Sequence, residues 1–121
     1  MKKAYLSSET TGAPLSGAQE ANGLVFVSGQ IHMNNGKLEG ETIEERLEIT
    51  IRNIEKVLAE AGLTLEDVIK IEIFLTDISE LPALNKAYPK YWRHPFPART
   101  AIGVAALPLG ASLEIAAVAS R

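Results

Sequence analysis

Three observations predict an α+β fold in which two helices pack on one face of a mixed β-sheet. Two segments have the amphipathic periodicity of helices, short β-type runs precede, separate and follow them, and the final segment is apolar on both alternating faces. The length of 121 residues suits one domain over 1–121.

The first third of the chain predicts short strands joined by turns. Residues 2–6 can form a strand, and residues 7–20, rich in serine, threonine, glycine and proline, predict an ordered loop. The apolar run at 24–27 predicts a strand that ends at 28–30. The Asn-Asn-Gly sequence at 34–36 predicts a tight turn, because Asn-Gly readily adopts positive φ.

A helix and an alternating strand are predicted next. Thr42 and Glu45 form a capping box that opens the helix, and Gly62 is a plausible left-handed stop. Residues 68–76 alternate and predict a strand. The residues expected to share its inner face are Ile69, Ile71, Ile73 and Leu75.

A second helix and two strands complete the predicted fold. Asp77 or Ser79 caps this helix, which should end or bend near Trp92. Strands are predicted over about 99–106 and 112–119. The last strand is almost wholly apolar, so we expect it to be central and buried on both faces.

The sheet face opposite the helices has no cover in this chain. Val68, Phe74, Ile102 and Val104 are expected on it, and they are too apolar to face water. We therefore predict that the protein forms oligomers through this face.

The composition excludes several classes of function. There is no cysteine, hence no thiol nucleophile or zinc-thiolate site, and two histidines are too few for a histidine-based metal cage. The net charge of −3 argues against a general nucleic-acid binder. No apolar run is long enough to cross a bilayer, and the first residues lack the apolar centre of a signal peptide, so we expect a cytoplasmic protein.

Two charged residues occupy positions where the predicted strands should be apolar. Arg99 follows Pro97, and its small neighbours Ala101 and Gly103 leave space beside the guanidinium. This group can bind a carboxylate through two parallel hydrogen bonds, or it can pair with a surface acid. Glu114 can act as a general acid or base whose pKa is tuned by burial, or it can point into solvent near a strand end.

Four polar residues are further candidates. Ser28 could bind a small polar molecule, or it could belong to a simple turn, and it lacks evident partners for a catalytic serine. His94 lies in a rigid loop close to Arg99 and is expected to be structural or exposed. His32 is expected to be solvated beside the Asn-Gly turn, and Asn85 could support a loop.

Three strings resemble the RidA/YjgF family, namely Phe26-Val27-Ser28-Gly29-Gln30, Pro97-Ala98-Arg99 and Leu113-Glu114-Ile115, and the resemblance spans essentially the whole chain. Members of this family are reactive-intermediate imine deaminases, also known as L-PSP endoribonuclease-like or translation-inhibitor proteins. The resemblance implies a Bacillus chorismate-mutase-like fold in which the last strand lies between earlier strands. It further implies a homotrimer whose sheets face a central core, with three clefts between subunits.

The resemblance also implies roles for individual residues. Arg99 would bind the substrate carboxylate, Glu114 would position or activate water, and Ser28 would lie near the substrate. Leu15 stands where many imine deaminases have a cleft tyrosine, and Ala101 stands where a cysteine is often found. Both are expected among the substrate-binding residues, where they could change substrate choice and rate.

The implied activity is the hydrolysis of 2-imino or 2-enamino acids, such as 2-aminoacrylate and 2-iminopropionate, to 2-ketoacids and ammonia without a metal or other cofactor. One alternative is an endoribonuclease or translation inhibitor, against which the acidic balance and the lack of a catalytic histidine pair argue. Another is a non-enzymatic sensor that binds a small acid in the same arginine cleft.

Overall fold

The computed structural model of this protein describes residues 2–5 and 13–121. The strands are β1 (Lys3–Tyr5), β2 (Ala18–Ala21), β3 (Leu24–Ile31), β4 (Met33–Asn34), β5 (Lys37–Leu38), β6 (Val68–Leu75), β7 (Ala98–Gly103) and β8 (Leu113–Ser120). The helices are α1 (Ile43–Glu60) and α2 (Leu81–Ala87). Short 3₁₀ turns span Leu65–Asp67, Ile78–Glu80, Tyr88–Lys90 and Pro108–Gly110.

Six strands form one mixed sheet in the order β1-β2-β3-β8-β6-β7, and β4 and β5 form a separate hairpin. β8 pairs antiparallel with both β3 and β6, whereas β6 and β7 are parallel. The last strand is therefore central, as its apolar sequence predicts, and it does not form a hairpin with β7. The predicted α+β class is confirmed.

The main core lies between the helices and one face of this sheet. Every second residue of β8 points into it, and these residues are Leu113, Ile115, Ala117 and Ala119. The α1 residues that meet them from the helix side include Leu47, Ile51, Ile54 and Leu58, none of which is exposed. Each large aliphatic side chain buried in this way stabilises the fold by roughly 1.5–3 kcal/mol.

α1 begins and ends where its local signals predict. The Glu45 amide donates to Thr42 Oγ1 at 3.2 Å, and the Thr42 amide donates to Glu45 Oε1 at 3.2 Å, which completes the capping box. Gly62 has a φ of +73°, a left-handed conformation that ends the helix without the steric cost a side chain would bring. None of the helices in the described ranges is both long and apolar enough for a membrane span.

Two strands near the start differ from the prediction, because their extent depends on pairing with other strands and not on the local sequence pattern. Residues 18–20, predicted as loop, belong to β2, which lies between β1 and β3. β3 continues to Ile31, because a bulge between Val27 and Gln30 lets it keep pairing with β8. Residues 7–12 of the predicted loop lie outside the described residues, as does residue 6 of the predicted first strand.

The alternation predicted for β6 holds from Ile71 onward and fails at the start of the strand. Val68, expected on the open face, is buried, and Ile69, expected in the core, is 47% exposed. The register of β6 against β8 shifts between Val68 and Lys70. A shift of one residue exchanges the two faces of a strand, which explains the error.

The second helix and β7 are both shorter than predicted. Asp77 caps the 3₁₀ turn before α2 by accepting a hydrogen bond from the Ser79 amide at 3.0 Å. α2 ends at Ala87, and a 3₁₀ turn containing Pro89 replaces the expected continuation toward Trp92.

The described residues of a single chain leave the other face of the sheet only partly covered. Phe26 is 50% exposed and Ile102 is 43% exposed, while Phe74 and Val104 are half-buried. The outward residues of β8 are also half-buried, so the prediction that both faces of this strand are buried is wrong for one chain. The face therefore presents apolar surface, as expected, with Val68 removed from the predicted set.

Candidate active site

Arg99 lies on β7, the edge strand of the sheet. β7 runs parallel to β6 with Arg99 opposite Ile71, so its side chain leaves the sheet on the helix side. Its guanidinium carbon lies 4.9 Å from the ring centre of Tyr88, which is a cation–π distance. Within the described ranges, Arg99 has no ion pair or hydrogen bond from its side chain.

A cavity of about 320 Å³ opens beside this guanidinium. We call it the arginine pocket, and its lining residues are Asn85, Tyr88, Pro89, Phe96, Pro97 and Arg99. Pro97 and Phe96 come from the loop before β7, whereas Asn85 and Tyr88 come from α2 and the following 3₁₀ turn. The pocket thus combines one permanent cation with an apolar wall.

Tyr88 is the buried residue of this pocket. Its ring centre lies 5.0 Å from that of Trp92 and 6.3 Å from that of Phe96. Burial raises the pKa of Tyr88, an effect that the charge of Arg99 opposes. Its hydroxyl is buried and finds no hydrogen-bond partner in the part of the chain that the structure describes. Tyr88 therefore contributes its ring to the site, and none of the described residues pairs with its hydroxyl.

The small residues that follow Arg99 on β7, Ala101 and Gly103, allow close packing of neighbouring elements. Ala101 is half-buried against the main core and does not line the arginine pocket of this chain. A Cβ atom at Gly103 would lie 3.3 Å from Cβ of Ile78, so this glycine lets the Ile78–Glu80 turn approach the sheet. The expected hollow along the strand is therefore confined to the Arg99 end.

Glu114 lies on β8, opposite Ile31 of β3 and Phe74 of β6. It is half-buried, and burial raises the pKa of its carboxyl group. Its carboxylate sits over the β3 bulge, where a Cβ atom at Gly29 would lie 2.7 Å from the carboxyl carbon. Only glycine at this point of the bulge leaves room for the carboxylate.

Ser28 connects this bulge to the loop before β2. Its hydroxyl donates to the Ser16 carbonyl at 2.6 Å, and its amide donates to the Gly17 carbonyl at 2.9 Å. A groove of about 670 Å³ lies beside it, and Leu15, 48% exposed, is part of its wall. Ser28 thus holds the loop that carries Leu15, and its hydroxyl proton is already engaged in the free chain.

The two charged candidates are not brought together within one chain. Glu114 is opposite Phe74, which is opposite Ile102, three residues beyond Arg99 on β7. Their backbones are therefore separated by roughly 10 Å across the sheet and roughly 10 Å along it. They also point to opposite faces, because Arg99 shares the face of the core residue Ile71 and Glu114 alternates with the core residues of β8.

The histidines and Asn85 also depart from expectation in part. His94 is exposed, as predicted, and its ring contacts Phe96 at 5.8 Å. His32 is only 6% exposed, so its predicted solvation is wrong. Asn85 lines the arginine pocket, whereas the sequence pattern predicts only that it could support a loop. Asn85 lies three residues before Tyr88, a spacing that puts both side chains on one face of a helix. No three or more metal-ligating side chains converge among the described residues.

Comparisons with known proteins agree in fold and sequence. The family model described as endoribonuclease L-PSP matches residues 7–121. A RutC family protein of Aquifex aeolicus is 42% identical over 112 residues, covering 89% of this chain and 89% of that protein. Reactive Intermediate Deaminase A, chloroplastic, of Arabidopsis thaliana is 37% identical over 125 residues, covering 99% of this chain and 67% of that protein.

A solved structure also resembles this chain over its full length. The crystal structure of YyfA, a Rid family protein of unknown function from Yersinia pestis, superposes with a TM-score of 0.93 at 34% identity. The match covers 100% of each chain.

Proposed function

This chain belongs to the endoribonuclease L-PSP family, the RidA/YjgF family, and we propose that it hydrolyses reactive 2-imino and 2-enamino acids to 2-ketoacids and ammonia. The observation that carries the proposal is the guanidinium of Arg99, which stands unpaired by any described residue at the mouth of a partly apolar pocket. A relative named Reactive Intermediate Deaminase A supports the same reaction class.

Arg99 would bind the substrate carboxylate. The guanidinium lies at a cation–π distance from the Tyr88 ring, and no described residue accepts a hydrogen bond from its N–H donors. Two parallel hydrogen bonds to a carboxylate can then form at this edge. The imine carbon next to the bound carboxylate would be held in one position, which lowers the entropic barrier to attack.

Glu114 would be the general base. Its half-buried carboxylate, with a raised pKa, can take a proton from water as the water oxygen bonds to the imine carbon. The same proton can return to the nitrogen, which gives a tetrahedral carbinolamine. The hydroxyl proton of this intermediate can then pass through Glu114 to the nitrogen as the carbon–nitrogen bond breaks, so that ammonia leaves and the 2-ketoacid forms.

Because the two residues lie on opposite faces of one sheet, we propose that each complete site is shared between copies of the chain. The arginine pocket of one copy would meet the Glu114, Ser28 and Leu15 surface of another. The exposed apolar residues Phe26 and Ile102 on the open face support such an assembly. A homotrimer with shared clefts, which the family resemblance implies, would satisfy both observations.

Turnover of an imine made in place tests this function. An amino-acid oxidase supplies the 2-imino acid, and the rates of imine loss, ammonia release and ketoacid release are measured with wild type, Arg99→Lys and Arg99→Ala. We expect Arg99→Ala to lose on the order of 10²-fold in kcat/KM, since two charge-assisted hydrogen bonds vanish. Arg99→Lys keeps the positive charge but lacks the planar guanidinium, so its kcat/KM should lie between those of wild type and Arg99→Ala.

The outcomes separate the alternatives. Wild-type activity in Arg99→Ala would contradict the proposal. Binding of 2-ketobutyrate without imine turnover would instead favour a sensor, and RNA cleavage that disappears in Arg99→Ala would favour an endoribonuclease.

A further inference from the structure

A buried histidine holds the start of the strand that carries Glu114. The Ser112 amide donates to His32 Nε2 at 3.0 Å, and the His32 Nδ1–H donates to the Glu39 carbonyl at 2.9 Å. An amide can only donate and a carbonyl can only accept, so both bonds together require the neutral ring with its proton on Nδ1. We call this pair of hydrogen bonds the His32 bridge.

The His32 bridge lies directly beside the Glu114 position. Ile31, the residue before His32, is the last β3 residue paired with β8, and its partner is Glu114. Ser112 lies two residues before Glu114, just outside β8. Backbone pairing between β3 and β8 ends at Ile31 and Glu114. Beyond this pair, the hydrogen bond between the two segments is made by the His32 ring and not by a backbone carbonyl.

The surroundings hold both ends of the bridge in place. Asn53 of α1 donates to the carbonyls of Ile31 at 2.9 Å and Met33 at 2.8 Å, on either side of His32. On the other side, Ser112 Oγ accepts a hydrogen bond from Arg46 at 2.6 Å. These contacts set the Ser112 amide against Nε2 of the ring, so the hydrogen bond between them forms only while Nε2 carries no proton.

The charged groups around the ring come from two elements. Arg46 on α1 and Glu80 in the turn before α2 pair with each other at 2.9 Å, and Glu39 contributes only backbone groups to the ring. Burial lowers the pKa of His32, and the Arg46 charge acts in the same direction. A proton added to Nε2 would point at the Ser112 N–H, so the bond between them would be lost.

We propose that neutral His32 is a positioning residue for Glu114, fixing through the Ser112 amide the strand end on which the glutamate stands. Protonation of the ring breaks its bond to the Ser112 amide. Ser112 then keeps its contacts with Arg46 and with the Thr76 amide, which donates to its carbonyl at 3.1 Å, but this strand end is held less tightly. The carboxylate then loses its fixed place over Gly29. The inference rests on the proposed function only where it concerns turnover, because the position and titration of Glu114 can be observed without substrate.

Carbon-13 NMR titration across the pH range in which the protein stays folded tests the coupling, because a group that senses the protonation of a neighbour shows an extra inflection at the pKa of that neighbour. The carboxyl signal of Glu114, assigned with Glu114→Gln, is followed in wild type, His32→Gln and His94→Gln. Glutamine at position 32 can accept from Ser112 and does not titrate, whereas His94→Gln removes the exposed histidine as a matched control.

In wild type and His94→Gln we expect the Glu114 signal to have a second inflection at the pKa of His32. His32→Gln should abolish it. For turnover, the acid limb of log kcat/KM should have a slope of about 2 in wild type, because both His32 and Glu114 must be deprotonated there. In His32→Gln only Glu114 titrates, so the slope should be about 1.

A single Glu114 inflection in wild type would overturn the inference, as would a His32 ring protonated on Nε2. The wild-type titration decides this even if His32→Gln does not fold. Should wild type fail to turn over any imine, the proposed function fails while the titration still tests the positioning of Glu114.

Discussion

Gly29 shows how a single residue places the candidate base. Its missing side chain is the space that the Glu114 carboxylate occupies, and the bulge brings it there. In the structure, the group that approaches the Gly29 backbone is a side chain of the same protein. The glycine and the glutamate therefore act as one unit.

The substitution Gly29→Ala tests this unit. The new methyl group must displace the end of a flexible side chain, so we expect the free energy of unfolding to change by about 1 kcal/mol or less. Activity should fall far more, toward that of Glu114→Gln, a loss on the order of 10²–10⁴-fold if Glu114 is the general base. Chemical denaturation and imine turnover, measured on both variants, give the two numbers.

A large loss of stability with full activity in Gly29→Ala would contradict this assignment. The matched control is Gly103→Ala, which changes another strand glycine whose nearest obstacle is Ile78 and not a charged group.

At the scale of elements, the segment from α2 through the Tyr88–Lys90 turn builds the support for Arg99. The parallel register of β7 on β6 places the arginine on the helix side, and the turn puts the Tyr88 ring beneath it. Neither contact is local, because Tyr88 and Arg99 belong to different elements joined by a loop.

Substitutions of Tyr88 test this support. Tyr88→Phe keeps the ring and removes a hydroxyl that has no partner in the described chain, so substrate affinity and stability should be retained. Tyr88→Leu removes the π face, and we expect KM to rise about three- to thirtyfold from the loss of a cation–π contact.

The loss in Tyr88→Leu should be much smaller when Arg99 is already alanine, because the two residues act together. Steady-state kinetics of the double-mutant cycle measure this. Equal losses in both backgrounds would show that Tyr88 acts through general packing alone.

At the scale of the whole molecule, the two faces of one sheet carry the two halves of the proposed site. A single chain presents the arginine pocket on one side and Glu114 on the other. If the site is shared between copies, an Arg99→Ala chain and a Glu114→Gln chain can complete each other. Co-expression should then restore about a quarter of wild-type activity, the fraction of interfaces that combine both intact residues when protomers mix at random.

Each variant alone should have about 1% of wild-type activity or less in the same assay. Light scattering should give the mass of the mixed oligomer. A co-expressed pair no more active than the two separate variants would argue against sites shared between protomers. The cytoplasmic location and the absence of a cofactor stay predictions.

The sequence by itself determined the features that depend on near neighbours along the chain. These are the capping box at Thr42, the Asn-Gly turn, the α1 stop at Gly62 and the central apolar strand, together with the strings containing Arg99 and Glu114. Each is set by backbone conformation or by burial pattern within a few residues, so local reading suffices.

Only the tertiary structure decided the features that depend on distant partners. The segment at 18–21, part of which the sequence predicts as loop, pairs with β3 as β2. A register shift in β6 exchanges the faces on which Val68 and Ile69 lie, and His32 is buried between Glu39 and Ser112. The same long-range pairing put Arg99 and Glu114 on opposite faces. Strand order and register arise from contacts between residues far apart in sequence, and a shift of one residue reverses the side to which every later side chain points.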